Sequence, residues 1–123
     1  MAKKKNQLFK NFRRQGNFIT FWHSVYDSPA FQSLSLRARC LLFEFQYRFT
    51  PTRNGRIVMS VETAMERLNV KSYRTMQKAF EELQAKGFIV MNLDSDHTKG
   101  RAREWRLTYE PSNGREPTDE WKL

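Results

Sequence analysis

Cysteine is nearly absent from this 123-residue chain, which contains only Cys40. A single thiol forms neither an intrachain disulfide nor a zinc cluster, which agrees with a reducing compartment. No apolar stretch reaches the length of a membrane span, and the basic amino terminus lacks the apolar run of a signal peptide. We therefore expect a cytoplasmic protein, nucleoid-associated in a bacterial cell, without a membrane partner.

Groups that catalyse reactions or hold cofactors are also scarce. The five glycines do not have the spacing of a phosphate-cradling loop. His23 and His97 are far apart in the sequence, while Glu62 and Glu66 pair as readily with Arg67 or solvent as with a metal. No nucleophile, base and orienting group occur together. We expect no metal, no cofactor, no small-molecule ligand and no enzymatic activity.

Positive charge is in excess, with a formal net charge of +9 at pH 7. Residues 1–16 lack acidic side chains and are predicted to form a flexible basic arm that contacts a polyanion. The alternative is a solvated leader that only improves solubility. One domain at 17–110 and a flexible acidic, polar tail at 111–123 complete the prediction. The basic side chains of the arm are Lys3, Lys4, Lys5, Lys10, Arg13 and Arg14.

The longest predicted helix begins after Ser35, a good N-cap residue, and runs to about Phe49. Its apolar side chains form two stripes at helical spacing, and we expect both to be buried. One stripe would meet the following helices. The other would meet residues 18–22 or a second subunit. The stripes comprise Ala38, Leu41, Leu42, Phe45 and Phe49, and Leu36, Cys40, Phe43 and Tyr47.

Two short amphipathic helices follow, capped by Ser60 and Ser72 and separated by a tight turn. Gly87 is placed to end the second helix in a left-handed conformation. Short strands are predicted at 57–59, 88–93 and 101–109, the last two joined by a polar loop. The order predicts an α+β fold with a three-helix core and a β-hairpin.

The second helix of the pair has a polar, basic face that suits the major groove of DNA. Arg74 could donate two hydrogen bonds to a guanine, and Thr75 or Gln77 could meet thymine or adenine. Contacts to phosphate position a protein rather than specify sequence, and they suit Lys71 and Lys78. The alternative is an ordinary amphipathic helix with a solvated face. The candidate recognition residues are Lys71, Ser72, Tyr73, Arg74, Thr75, Gln77 and Lys78, of which Tyr73 could equally belong to the core.

The hairpin loop offers a second set of cations where a wing would meet the DNA backbone or minor groove. Lys99, Arg101 and Arg103 lie at the exit of this loop. Asp94 and Asp96 at its entry weaken the interpretation, and a solvated loop is the alternative.

These residues carry a resemblance. Residues 57–109 resemble the winged helix-turn-helix domains of bacterial regulators such as the GntR family, and the winged-helix modules of plasmid and phage replication proteins. The resemblance implies a winged helix-turn-helix fold that binds double-stranded DNA. The matching residues are Leu68-Asn69-Val70, Ser72, Thr75-Met76, Ala79-Phe80, Leu83 and Lys86-Gly87-Phe88-Ile89.

Two departures from the family pattern lie in the turn. Asn69 stands where the family commonly has glycine, and Lys71 lengthens the turn by one residue. They leave open which of Ser72, Tyr73 and Arg74 points into the groove.

Three hypotheses follow. The first is a sequence-specific DNA-binding repressor or other regulator from a bacterial mobile element, acting as a homodimer. The second is a replication initiator or origin-binding accessory protein that makes the same contacts. The third is a protein-interaction module or inhibitor, for which we expect a large exposed apolar area around Phe43 and Tyr47.

Overall fold

The computed structural model describes residues 16–122. The basic side chains predicted to form a DNA-binding arm, from Lys3 to Arg14, lie outside these described residues.

The described chain has an α+β architecture with five helices and one small antiparallel sheet. The strand order is β1-β3-β2, so the last strand in the sequence is central. None of the helices between residues 16 and 122 has both the length and the apolarity needed to cross a membrane. The elements are α1 (His23–Tyr26), α2 (Pro29–Gln32), α3 (Leu36–Arg48), β1 (Ile57–Val58), α4 (Val61–Leu68), α5 (Tyr73–Ala85), β2 (Ile89–Leu93) and β3 (Glu104–Leu107), with 3-10 turns at His97–Lys99 and Glu120–Lys122.

Serine caps begin the three longest helices, as the sequence predicts. The hydroxyl oxygens of Ser35, Ser60 and Ser72 each accept a hydrogen bond from the backbone N–H three residues later, which satisfies one free donor of the first turn. Gly87 follows α5 with a φ of +82°, the left-handed conformation predicted for it.

The outer face of α3 differs from the prediction. The stripe that contains Ala38, Leu41, Leu42 and Phe45 is buried in the core. The other stripe is exposed, so the expectation that both are buried is wrong for the single chain. The exposed fractions are 76% for Leu36, 54% for Phe43 and 55% for Tyr47, and Cys40 is exposed as well.

Trp105 of β3 lies at the centre of the core. Its ring packs against Phe45 of α3 and Phe80 of α5, with centroid separations of 5.8 and 5.4 Å. Its indole N–H donates to the carbonyl oxygen of Met59 at 2.9 Å. This one side chain therefore joins the sheet to both long helices.

The third strand is shorter than predicted. Only Glu104–Leu107 forms a strand, and the pairing with β2 has a register shift between Met91 and Leu93. Where the chain turns after Leu107, the side chain of Asn54, which is 1% exposed, takes the place of a backbone strand partner for Leu107. Its amide N–H groups donate to the carbonyls of Leu107, Glu110 and Pro111, and its carbonyl accepts from the Leu107 N–H at 2.7 Å.

The segment predicted to be a flexible tail lies against the domain over residues 111–122. Trp121 stacks on Phe88 with an interplanar angle of 10°, and the Asp119 N–H donates to the Thr108 carbonyl. A β-carbon at Gly87 would come within 2.7 Å of the Glu120 backbone, so glycine is required there for close approach as well as for its φ. Flexibility of this segment in solution stays a prediction.

A polar network, buried except at Trp22, ties the start of the described chain to α3 and to the residues that follow β3. Glu110 accepts hydrogen bonds from the indole N–H of Trp22 and the side-chain amide of Gln46. The Tyr109 hydroxyl donates to the side-chain carbonyl oxygen of Gln46 at 2.7 Å. Burial, together with the nearby Glu110 carboxylate, raises the pKa of Tyr109 well above its ordinary value.

We expect Asn54→Ala to lower the free energy of unfolding by about 2–4 kcal/mol, because it leaves a buried N–H and several carbonyls without a partner. Urea denaturation monitored by circular dichroism measures the change. Asn92→Ala is the matched control, since Asn92 is exposed and donates one hydrogen bond, to the Gly55 carbonyl. Equal losses from both variants would contradict the role given to Asn54.

Alkaline pH should destabilise the protein through Tyr109. The pKa of Tyr109 is higher in the folded chain than in the unfolded chain. The stability that the protonated phenol contributes is therefore complete below the unfolded pKa of about 10. It is lost as pH rises above that value, by about 1.4 kcal/mol per pH unit. Urea denaturation between pH 9 and 11 should show a shallower decline for Tyr109→Phe than for the native chain. An unchanged slope would mean that the folded protein accommodates the ionised phenol.

Candidate nucleic-acid interface

The turn between α4 and α5 depends on Asn69, which adopts the left-handed conformation with φ 55° and ψ 44°. Its N–H donates to the Glu66 carbonyl, and the Val70 N–H donates to the Met65 carbonyl at 2.9 Å. Asparagine tolerates this conformation better than other residues with a side chain. Asn69 can therefore adopt the left-handed backbone conformation for which glycine is the usual residue.

The first turn of α5 presents its polar side chains to solvent. Lys71, Ser72, Tyr73, Arg74 and Lys78 are exposed. The Ser72 hydroxyl oxygen accepts from the Thr75 N–H at 3.2 Å. Ser72 therefore has a capping role whatever else it contacts.

The opposite face of α5 is buried, as predicted, through Met76, Ala79, Phe80 and Leu83. Thr75 and Gln77 lie at the border between the two faces and are half-buried.

Tyr73 lies outside the hydrophobic core, with 49% of its surface exposed. It lines a cleft of about 450 Å³ between the beginning of α4, the beginning of α5 and the hairpin loop. Ser60, Arg101 and Arg103 line the same cleft. The structure thus brings a candidate of the helix together with two candidates of the loop.

The acidic side chains of the hairpin loop are engaged within the loop. The Asp96 carboxylate accepts from the Thr98 hydroxyl at 2.6 Å and from its N–H at 3.0 Å, and the hydroxyl bond lowers the pKa of Asp96. Asp96 and Arg101 also pair through their backbones across the loop. Asp96 therefore shapes the loop and holds its exit close to its entry.

Arg103 connects the loop to α5. Its guanidinium lies 3.4 Å from an Asp94 carboxylate oxygen and donates to the Gln77 side-chain carbonyl at 3.5 Å. The Arg101 guanidinium donates to the Asp94 backbone carbonyl at 3.3 Å. Two of the three predicted loop cations are therefore already in contact with protein groups, whereas the Lys99 side chain is exposed.

Five cations of the candidate interface have no carboxylate partner among residues 16–122, namely Lys71, Arg74, Lys78, Lys99 and Arg101. Glu62 also lines the cleft and adds one negative charge near its rim.

Sequence reasoning did not assign Ser60, Ser95 or Gly100 to the cleft. Ser60 and Ser95 are polar, but only the folded chain brings them near Tyr73. The sequence carries no signal that would have revealed this placement.

Across the described part of the chain, no three His, Cys, Asp or Glu side chains are arranged to hold a metal ion. No protein-family description, curated protein or solved structure matches this chain.

We expect Asn69→Ala to lower the free energy of unfolding by about 1–2 kcal/mol, because alanine is strained in the left-handed conformation. Asn69→Gly should change it by less than about 1 kcal/mol, since glycine adopts this conformation without strain. Thermal denaturation of the two variants compares them directly. An alanine variant as stable as the glycine variant would contradict a left-handed turn.

Proposed function

We propose that this chain binds double-stranded DNA in the manner of a winged helix, with α5 in the major groove and the β2–β3 loop as the wing. The α+β architecture and the β1-β3-β2 strand order are compatible with that fold. The observation that carries the proposal is the group of cations at the exposed beginning of α5, which have no carboxylate partner among residues 16–122 and lie on the same side of the domain as the loop cations.

The orientation of α5 supports entry of its first turn into the groove. Near its other end, Glu82 accepts hydrogen bonds from the Ser35 N–H and hydroxyl at 2.7 and 2.8 Å, which fixes that end against α3. The N-terminal residues of a recognition helix are the ones that contact base edges. Arg74 is therefore the first candidate for a base contact, with Lys71 and Lys78 on phosphates.

The cleft beside Tyr73 suits the sugar-phosphate backbone. An aromatic ring and two guanidinium groups offer a stacking face and hydrogen-bond donors to one phosphate. The N–H groups at the beginning of α4 add a partial positive charge at the same place. The Arg103 ion pair with Asp94 is partly exposed, so it is weak and a phosphate can compete for the guanidinium.

The biological role that we propose is that of a repressor or other regulator from a bacterial mobile element. A replication initiator would use the same surface. Selection of bound fragments from random double-stranded DNA at physiological salt tests the binding itself. Recovery of one sequence motif supports sequence-specific binding, and recovery of random sequences at all protein concentrations contradicts it.

Arg74→Ala should weaken binding to the selected site by about 5-fold to 150-fold and relax preference at one position, which corresponds to the loss of one bidentate base contact. Arg37→Ala is the matched control. Arg37 is exposed near Ser35, and therefore near the opposite end of α5. Fluorescence anisotropy with labelled duplexes measures both. Loss of equal size in the two variants would mean that only total charge matters.

A second candidate function, protein interaction, is favoured by one specific observation. Phe43 and Tyr47 are each more than half exposed on the outer face of α3. A protein that uses the domain only for such contacts would show no salt-dependent DNA binding, whereas binding through phosphates weakens steeply as salt rises.

A further inference from the structure

The exposed side of α3 carries a continuous apolar seam, formed by Leu36, Cys40, Phe43 and Tyr47. Their spacing of four, three and four residues is the spacing of a coiled-coil contact line. The guanidinium of Arg67 lies 5.4 Å from the centre of the Tyr47 ring and helps to hold that ring in place. No described part of the chain covers this seam, although its spacing is typical of a helix that packs on another helix.

The seam is complementary to itself when two copies run antiparallel. Leu36 of one copy then faces Tyr47 of the other, and Cys40 faces Phe43. Both contacts form together because, along the sequence, each pair of positions is centred on the same point, between Leu41 and Leu42. Each pair combines a smaller side chain with an aromatic one, which allows the two surfaces to interdigitate. This reciprocal pairing is the property that a two-fold symmetric interface requires.

We propose that the seam is the interface of a homodimer in which two α3 helices pack antiparallel across a two-fold axis. The proposal does not depend on DNA binding, because the seam shares no residue with the candidate nucleic-acid interface.

The exposed apolar area is of the size that such an interface needs. Tyr26 lies beside the seam, since it lines one cavity together with Phe43. A half-exposed aromatic side chain leaves roughly 100 Å² accessible, so Tyr26, Phe43 and Tyr47 offer roughly 300 Å². Leu36 adds roughly 100 Å² on the same scale. A standard interface buries about 800 Å² per partner, of which about 480 Å² is apolar. The seam and Tyr26 supply most of that apolar area.

Charge distinguishes dimerisation from DNA binding. Each copy has a formal net charge of +9, so two copies repel, while the four seam side chains are uncharged. Added salt screens the repulsion and should tighten the dimer. The same salt should weaken binding to DNA. Opposite responses to salt thus separate the two proposals experimentally.

The test is sedimentation equilibrium of the full chain without DNA, at several protein and salt concentrations. We expect a monomer–dimer equilibrium whose dissociation constant falls as salt rises. Phe43→Glu should raise that constant at least about 100-fold, because it places a charge in the seam of each copy. Val58→Glu is the matched control, since Val58 is 56% exposed on β1 and lies outside the seam. It should leave the dimer intact.

Cysteine cross-linking tests the geometry. In the antiparallel pair the two Cys40 residues are offset by about 4.5 Å along helices that lie about 8–10 Å apart. Because seam residues face the partner, their α-carbons lie about 2 Å inside each helix axis and are then about 6–8 Å apart, at the upper limit for a disulfide. A short bismaleimide should therefore link the two copies through Cys40.

Three outcomes would overturn the proposal. A dimer that resists Phe43→Glu and is not cross-linked through Cys40 uses another surface. A monomer with a thiol protected from alkylation has the seam covered by another segment of its own chain. A monomer with a reactive thiol would indicate that the seam is free in this chain and binds a different protein. Circular dichroism of each variant shows that any loss of dimer is not a loss of fold.

Discussion

The position of Trp105 constrains the rest of the structure. Its ring lies between Phe45 and Phe80, and its indole N–H is satisfied by the Met59 carbonyl that immediately precedes the Ser60 cap. Buried tryptophan combines a large apolar area with one directional donor, so it fixes both spacing and orientation. The sheet therefore cannot shift relative to α5 without breaking this contact. For this reason the hairpin loop and the first turn of α5 stay on the same side of the domain.

Local signals were sufficient to predict the three longest helices. Serine caps, Gly87 and the apolar spacing of α5 act within one or two turns, and each has the predicted role. The length of β3 and the packing of residues 111–122 were not predictable, because they depend on Asn54 and Gly87, which contact residues distant in the sequence. Periodicity also could not show that the second stripe of α3 remains exposed, since it reports apolar faces but not their partners.

For the candidate site, the sequence identified residue types but not their contacts. Arg74 and Lys78 could be placed on an exposed helix face from periodicity alone, and they lie there. Only the tertiary structure shows that Arg103 contacts Gln77 and that the Asp96 carboxylate is occupied by Thr98. Tyr73 could not be assigned to core or surface in advance, because its environment is created by a loop almost thirty residues later.

The central place of β3 has a consequence for the folding pathway. β1 and β3 pair through Ile57 and Trp105, and the chain between them contains both α4 and α5. Closing so long a loop costs entropy before the contact between β1 and β3 is gained, which slows folding and makes it cooperative. A two-residue strand such as β1 has little stability without that partner. The surface that α5 and the β2–β3 loop form together is therefore expected to appear late in folding, in one concerted step. A partly folded chain would not present this surface.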